Sequence, residues 1–309
     1  MPNYKVVNAD QLDADLEAVA QAIRTKGGTS ASLAFPSGFV SAVEGIQSGG
    51  GVGNSDAIIG RTVTEIKSNV EAVGEYAFRG CTALRAVNLP SAKTIGTYAF
   101  YNCTSLINLQ LPEVQTIATY GFYGCSGLSA LRIPKLSSLG STAFRGCTSL
   151  YRIFLPRLGA VSANAFYGCT GLEVADMGAA TSIASQAFYN CHSLKALVLR
   201  STSHVTLSGA TSLASCYWLT GAVNAAYNPN GGRGYVYVPA TRRYGYPNAT
   251  NWASFDVRFR VLEDYTIDGT IDGELDIEKM LTNTSDLGFG KGDEVIIPPI
   301  DLGGGSATS

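Results

Sequence analysis

Through the middle of the chain, apolar residues recur in columns with a step of 22 residues. Phe78, Phe100, Phe122, Phe144, Phe166 and Phe188 form one column, and Cys81, Cys103, Cys125, Cys147, Cys169 and Cys191 a second. Leu84, Leu106, Leu128, Leu150, Leu172 and Leu194 form a third. Two more, Val73/Ile95/Ile117/Leu139/Val161/Ile183 and Leu89/Leu111/Ile133/Leu155/Met177/Leu199, are bulky throughout. The unit reads I-x-x-x-A-F-x-G-C-x-x-L-x-x-V-x-L-P, with Asn102 and Asn190 replacing its glycine. Its final L-x-x-V-x-L alternates as a strand with one buried face does, whereas A-F-x-G-C-x-x-L is too short for a long helix and predicts a short helical or 3₁₀ turn. Pro90, Pro112, Pro134 and Pro156 lack an N–H and must end each strand. Each unit is therefore one coil of a solenoid, whose stacked strands, ~4.8 Å apart, make a parallel sheet about 25 to 30 Å long.

The pattern frames the rest of the chain. An incomplete unit at 58–66 starts the array, and decay of the motif after Arg200 marks its end, since Gly178 and Arg200 stand where the proline was and the phenylalanine column stops. The solenoid is thus assigned to 57–200, a mainly β cap to 201–264, and a hairpin with flexible tail to 265–309, the hairpin signalled by Asp268-Gly269 and Asp272-Gly273. At the other end, Asn8 and Gln11 resemble a capping box, and Leu12, Leu16, Val19 and Ile23 follow at helical spacing. They predict a small helical module at 1–47, joined by a glycine-rich linker at 48–56.

The repeat signature resembles the BspA-like (Treponema-type) leucine-rich repeat family, which implies an α/β repeat fold with a parallel sheet and a role in binding. Tyr235-Val-Tyr-Val-Pro239 and Asn248-Ala-Thr-Asn-Trp252 resemble segments that close such arrays. The stretch 22–46 resembles a module of tail-associated structural proteins of Firmicutes phages and prophages. That resemblance implies a head that docks on virion or tail proteins, or self-associates, with a trimer favoured. A short apolar seam such as Leu12, Leu16, Val19 and Ile23 is too small to be stable alone.

Charge narrows the function. With a formal net charge of −2 and 15% charged residues, the chain has no field to recruit nucleic acid. No apolar run approaches the roughly 18 residues of a membrane span, and the first residues lack the apolar stretch of a secretory leader, so export by that route is not expected. The in-register cysteines lack the clustered spacing of zinc sites and are expected to be buried free thiols, with Cys216, outside the register, the candidate for reactivity. His192 lies beside Cys191, but a thiol in a core column makes a poor nucleophile. Asp268, Asp272, Glu274 and Asp276 are acidic without the calcium-loop pattern, and read as turn formers. No catalytic motif, metal or cofactor site is expected.

What varies on this constant frame is the candidate site. Strand residues two and four beyond the conserved leucine should face outward, which brings Arg132, Arg152, Phe154 and Asp176 together beside Tyr151. Arginine among exposed aromatics is the composition of binding hot spots. A second stripe, Arg79, Tyr101, Tyr123, Arg145, Tyr167 and Tyr189, could form an aromatic and cationic ladder for stacking on sugar rings or another protein. The resemblance of residues 22–46, with the missing secretory leader, implies a phage or prophage structural protein, located on the virion, that recognises a host-surface glycan or protein. A bacterial cell-surface adhesin built on the same repeats is the alternative, and an enzyme with its site in the cap the third.

Overall fold

The computed structural model describes residues 7–8, 64–231, 234–246, 249, 251–254 and 258–282. The expected helical module and its seam, Leu12, Leu16, Val19 and Ile23, lie outside the described residues, as does most of the tail. Val7–Asn8 is a two-residue strand paired in parallel with Glu65–Lys67.

The array is a parallel β-solenoid. Each coil contributes a longer strand, as in Ala86–Asn88, Asn108–Gln110 and Ala130–Arg132, and most add a two-residue strand, as in Thr94–Ile95 and Thr116–Ile117. Neighbours pair in register one repeat apart, Ala86 with Asn108 and Thr94 with Thr116. The longer-strand ladder is interrupted once, between Asn108–Gln110 and Ala130–Arg132, while the short-strand ladder runs on through Thr116 and Ser138. No helix forms in the A-F-x-G-C-x-x-L segment. Successive turns close there instead, with Arg79 N–H donating to Tyr76 O, Cys81 to Phe78 O and Leu84 to Cys81 O. Alternate N–H groups, such as those of Tyr76, Phe78 and Gly80, donate across to the next coil, which prevents the segment from winding into a helix. The expected α/β repeat is thus corrected to a β-solenoid with turns.

Two residues per coil need a left-handed backbone, which explains the tolerated letters in the motif. One is the glycine of G-C: Gly80, Gly124, Gly146 and Gly168 have φ near 70°, and Asn102 and Asn190 stand in with φ of 57° and 61°. Asparagine enters this region more readily than other side chains because its short polar group bonds locally. The other is occupied by Tyr76, Tyr98, Tyr120, Thr142, Asn164 and Gln186, with φ between 56° and 63°.

Inside, the columns stack as the period demands. The phenylalanine rings run face to face from Phe78 to Phe188 with centroids 5.0 to 5.7 Å apart, and those of the five later coils are wholly buried. Each thiol from Cys103 onward donates to the carbonyl of a phenylalanine in the preceding coil, as Cys125 Sγ does to Phe100 O at 3.0 Å. All seven cysteines are buried and free. Ion pairs one repeat apart, Lys93–Glu71, Lys135–Glu113 and Lys195–Glu173, link coils at the surface; exposed pairs contribute about 0.2 to 1 kcal/mol each.

The array does not end at Arg200. Leu213 takes the phenylalanine position and Ser215 the left-handed one (φ 62°), while Cys216 Sγ donates to Phe188 O at 3.0 Å. Cys216, expected outside the column, is therefore its seventh member, displaced in sequence by three extra residues in that coil. The expected cap strand Tyr235–Val238 and then Phe259–Val261 extend the same sheet in parallel. Nine longer strands line up among the described coils. Tyr246 and Trp252 close the end, where Trp252 Nε1 donates to Val205 O and the Tyr246 hydroxyl accepts from Val205 N–H.

Candidate functional site

Outward-facing strand positions define the first candidate surface, and a C-terminal strap decides how much of it is open. A 3₁₀ turn at Leu262–Tyr265 leads into a hairpin bridged at Thr266 and Leu275, then a short helix at Ile277–Thr282. The Asp268-Gly269 step lies in this turn, where Asp268 accepts from the Thr270 N–H and hydroxyl, which hold its carboxyl below the usual carboxylate range. Leu262, Tyr265, Leu275 and Met280 pack on Val174, Ala196, Val198, Tyr235 and Tyr237 as a second core, joined by Phe154. The strap thus covers the later strands.

The expected hot-spot cluster is corrected accordingly. Asp176 is 2% exposed and Arg152 4%. Asp176 pairs with Arg200, whose Nη2 lies 2.7 Å from Oδ2 and whose Nη1 donates to the strap carbonyls of Ile271 and Gly273. Arg152 lies over the half-buried Tyr151 ring at 5.3 Å. Strand alternation does aim these side chains outward, but tertiary cover removes them from solvent. Arg132 remains exposed, together with Asn108 and Gln110 on the earlier strands, and Phe154 is half-buried at the edge of the strap.

Turn segments form the second surface. Tyr101 and Tyr123 stack at 4.7 Å and Tyr167 and Tyr189 at 5.0 Å, with Arg145 over Tyr167 at 4.1 Å and Arg79 over Tyr101 at 5.5 Å. The sequence reading missed the adjoining column: Tyr76, Tyr98 and Tyr120 stack at 5.0 and 4.6 Å, and lean against Tyr101 and Tyr123 at 57° and 56°. These rings are half-buried. Left-handed backbone costs a residue with a Cβ roughly 1 to 2 kcal/mol, and each ring pair returns about 0.5 to 1.5 kcal/mol. The period could have shown this column, because the three tyrosines also fall 22 residues apart.

Stacking changes what the stripe can do. Rings that lie parallel at the coil spacing turn their faces to one another along the solenoid axis, so the inner faces of the ladder are occupied. The expected use of those faces for sugar stacking is corrected for the inner rings. What remains outward is ring edges and phenol hydroxyls.

The other chemical candidates are enclosed. Burial is the largest cause raising the thiols of Cys81, Cys125, Cys147, Cys169, Cys191 and Cys216, and it pushes Cys169 up to about 12. His192 stacks on Tyr227 at 3.9 Å, with Nδ1 3.1 Å from Ser215 O, while the Cys191 thiol donates to Phe166 O. Among the described residues no cluster of three or more metal-ligating side chains occurs, and no helix is long and apolar enough to cross a membrane.

No curated protein matches this sequence. Among solved structures, a leucine-rich repeat protein of T. pallidum is 28% identical, over 52% of this chain and 73% of its own, with a TM-score of 0.43. A leucine-rich repeat protein of Bacteroides ovatus is 23% identical over 69% and 64%, with a TM-score of 0.43. A leucine-rich cell surface protein of Faecalibacterium prausnitzii is 20% identical over 58% and 56%, with a TM-score of 0.39. This chain therefore spans less than two thirds of the latter two. A profile described as BspA type leucine rich repeat region matches in six copies over residues 61–173 and 115–223. That span is more than half of the chain and carries the phenylalanine, cysteine and leucine columns described above, so the chain belongs to the BspA-type leucine-rich repeat family.

Proposed function

We propose that this protein is a recognition protein of the bacterial cell-surface adhesin kind, which binds a glycan or protein of a host surface through the outside of its solenoid and does no chemistry on it. One observation carries the reading: the interior is filled by apolar columns that change only among bulky apolar residues, whereas the outer strand positions and turn columns vary in charge, polarity and size. Membership of the BspA-type family supports the adhesin reading. The virion reading, with docking on tail proteins or a trimeric head, rests on the resemblance of residues 22–46, which lie outside the described residues, and it takes second place.

The test uses beads coated with the full chain. Saturable binding to cultured epithelial cells, competed by soluble protein, is the expected result. Binding to bacterial cells alone would favour the virion reading, and binding to neither would defeat recognition altogether.

A further inference from the structure

The double tyrosine column is the least explained part of the surface. The same left-handed position is filled by Thr142, Asn164 and Gln186 in later coils, so the backbone does not call for tyrosine there. Yet coils one to three set five rings in contact: Tyr76, Tyr98 and Tyr120 in one column, Tyr101 and Tyr123 in the other. Arg79 lies against this group, 5.7 Å from the Tyr76 centroid and 5.5 Å from that of Tyr101, and Arg145 follows in the next coil.

An aromatic ring is negative on its faces and positive at its edge. With faces turned to one another, the ladder offers outward what attracts anions: positive edges, phenol donors and two guanidinium groups. Phenol hydroxyls are donors at neutral pH, and partial desolvation and then the phenols of Tyr120, Tyr76 and Tyr101 push Tyr98 further up. Along the turn segments 74–83, 96–105, 118–127, 140–149, 162–171 and 184–193 the single carboxylate is Glu75. With Arg79 and Arg145 against Glu75, this side carries a net charge of +1 in a chain of net charge −2.

The pitch limits the kind of anion. Rings repeat every 4.6 to 5.0 Å. An extended peptide presents same-side groups about every 6.6 to 6.8 Å and runs out of step, and single-stranded nucleic acid binds by stacking bases on open ring faces, which the inner rings lack. A pyranose of an extended polysaccharide advances by nearly the coil spacing. We propose that the tyrosine ladder of Tyr76, Tyr98, Tyr101, Tyr120 and Tyr123, with Arg79 and Arg145, binds an acidic polysaccharide laid along the solenoid axis. This deepens the recognition function proposed above and rests on it.

Immobilised polygalacturonate and heparin, with dextran as the neutral control, test it by interferometry on the full chain. Both acidic polymers should bind, dextran should not, and affinity should fall as salt screens the exposed charges. The double variant Arg79→Gln/Arg145→Gln should weaken binding about tenfold or more, as should replacement of Tyr98, Tyr101, Tyr120 and Tyr123 by phenylalanine, which keeps the rings and removes the donors. Thermal melts establish that both variants remain folded, and Arg157→Gln, an exposed arginine outside both the ladder and the strand face, should leave binding unchanged. Dextran binding as tightly as the acidic polymers, failure of both acidic polymers, or indifference of folded variants overturns the proposal. If coated beads still adhere to cells in any of those cases, the ladder assignment falls alone and recognition stands.

Discussion

The Arg200–Asp176 pair is the joint between strap and solenoid, and replacing Arg200 with methionine tests that joint. The side chains are 8% and 3% exposed, and Arg200 reaches the carboxylate through Nε at 3.2 and 3.0 Å and through Nη2 at 2.7 Å. Methionine leaves the Asp176 carboxylate buried without its cation, a change that costs about 3 to 5 kcal/mol. The Ile271 and Gly273 carbonyls lose a donor in the same step, so the loss should fall first on the strap. The double variant Arg200→Met/Asp176→Leu should recover more than half of it, because replacing both members of a buried pair with apolar groups is often close to neutral. Urea denaturation gives the energies, and hydrogen exchange at Ile267 and Asp276, whose N–H groups donate to Glu274 O and Tyr265 O, reports the strap itself. A single variant within about 1 kcal/mol of the parent, or a double variant as unstable as the single, would refute the reasoning.

The Cys169 thiol makes stability fall at high pH: it ionises near 9.0 when exposed, whereas burial in the fold holds it up to about 12, so protons are lost from the unfolded chain first. Stability should be full below pH 9 and decline above it by about 1.4 kcal/mol per pH unit for this thiol; urea midpoints that stay flat from pH 8 to 11 would contradict this. Phe144, fully buried between Phe122 at 5.3 Å and Phe166 at 5.7 Å, should cost about 3 to 5 kcal/mol on replacement by alanine, measured by the same titration. At Asn102, with φ 57°, alanine should destabilise by roughly 1 to 2 kcal/mol and glycine should be tolerated; equal melting temperatures for the two would remove the left-handed argument. A thiol reagent at pH 8 should label none of the seven cysteines, Cys216 included, until the protein unfolds.

The repeat was legible because a one-dimensional fold writes its contacts at a fixed separation. Residues 22 apart touch, so Phe100 over Phe78 and Ala86 beside Asn108 follow from counting. The seventh coil was missed for the converse reason: its insertion moves Cys216 off the count while leaving it in the column. Strand alternation placed Arg152 and Asp176 on the outer face beside Val174 and Val198, and it could not foresee that both would be buried there, Asp176 against the Arg200 that holds a strap more than sixty residues further on. The tyrosines of the stripe were found, but their orientation was not, because a spacing gives position along a coil and not the direction of a ring.

Sequence by itself determined the period, five of the core columns and the family, because each coil buries its apolar residues against the next one and needs the same residue types again. Tertiary structure alone decided which outward positions stay open, where the array ends and which part of each tyrosine meets solvent. Those depend on contacts between segments with no common period, above all the strap held by Arg200 across the later strands.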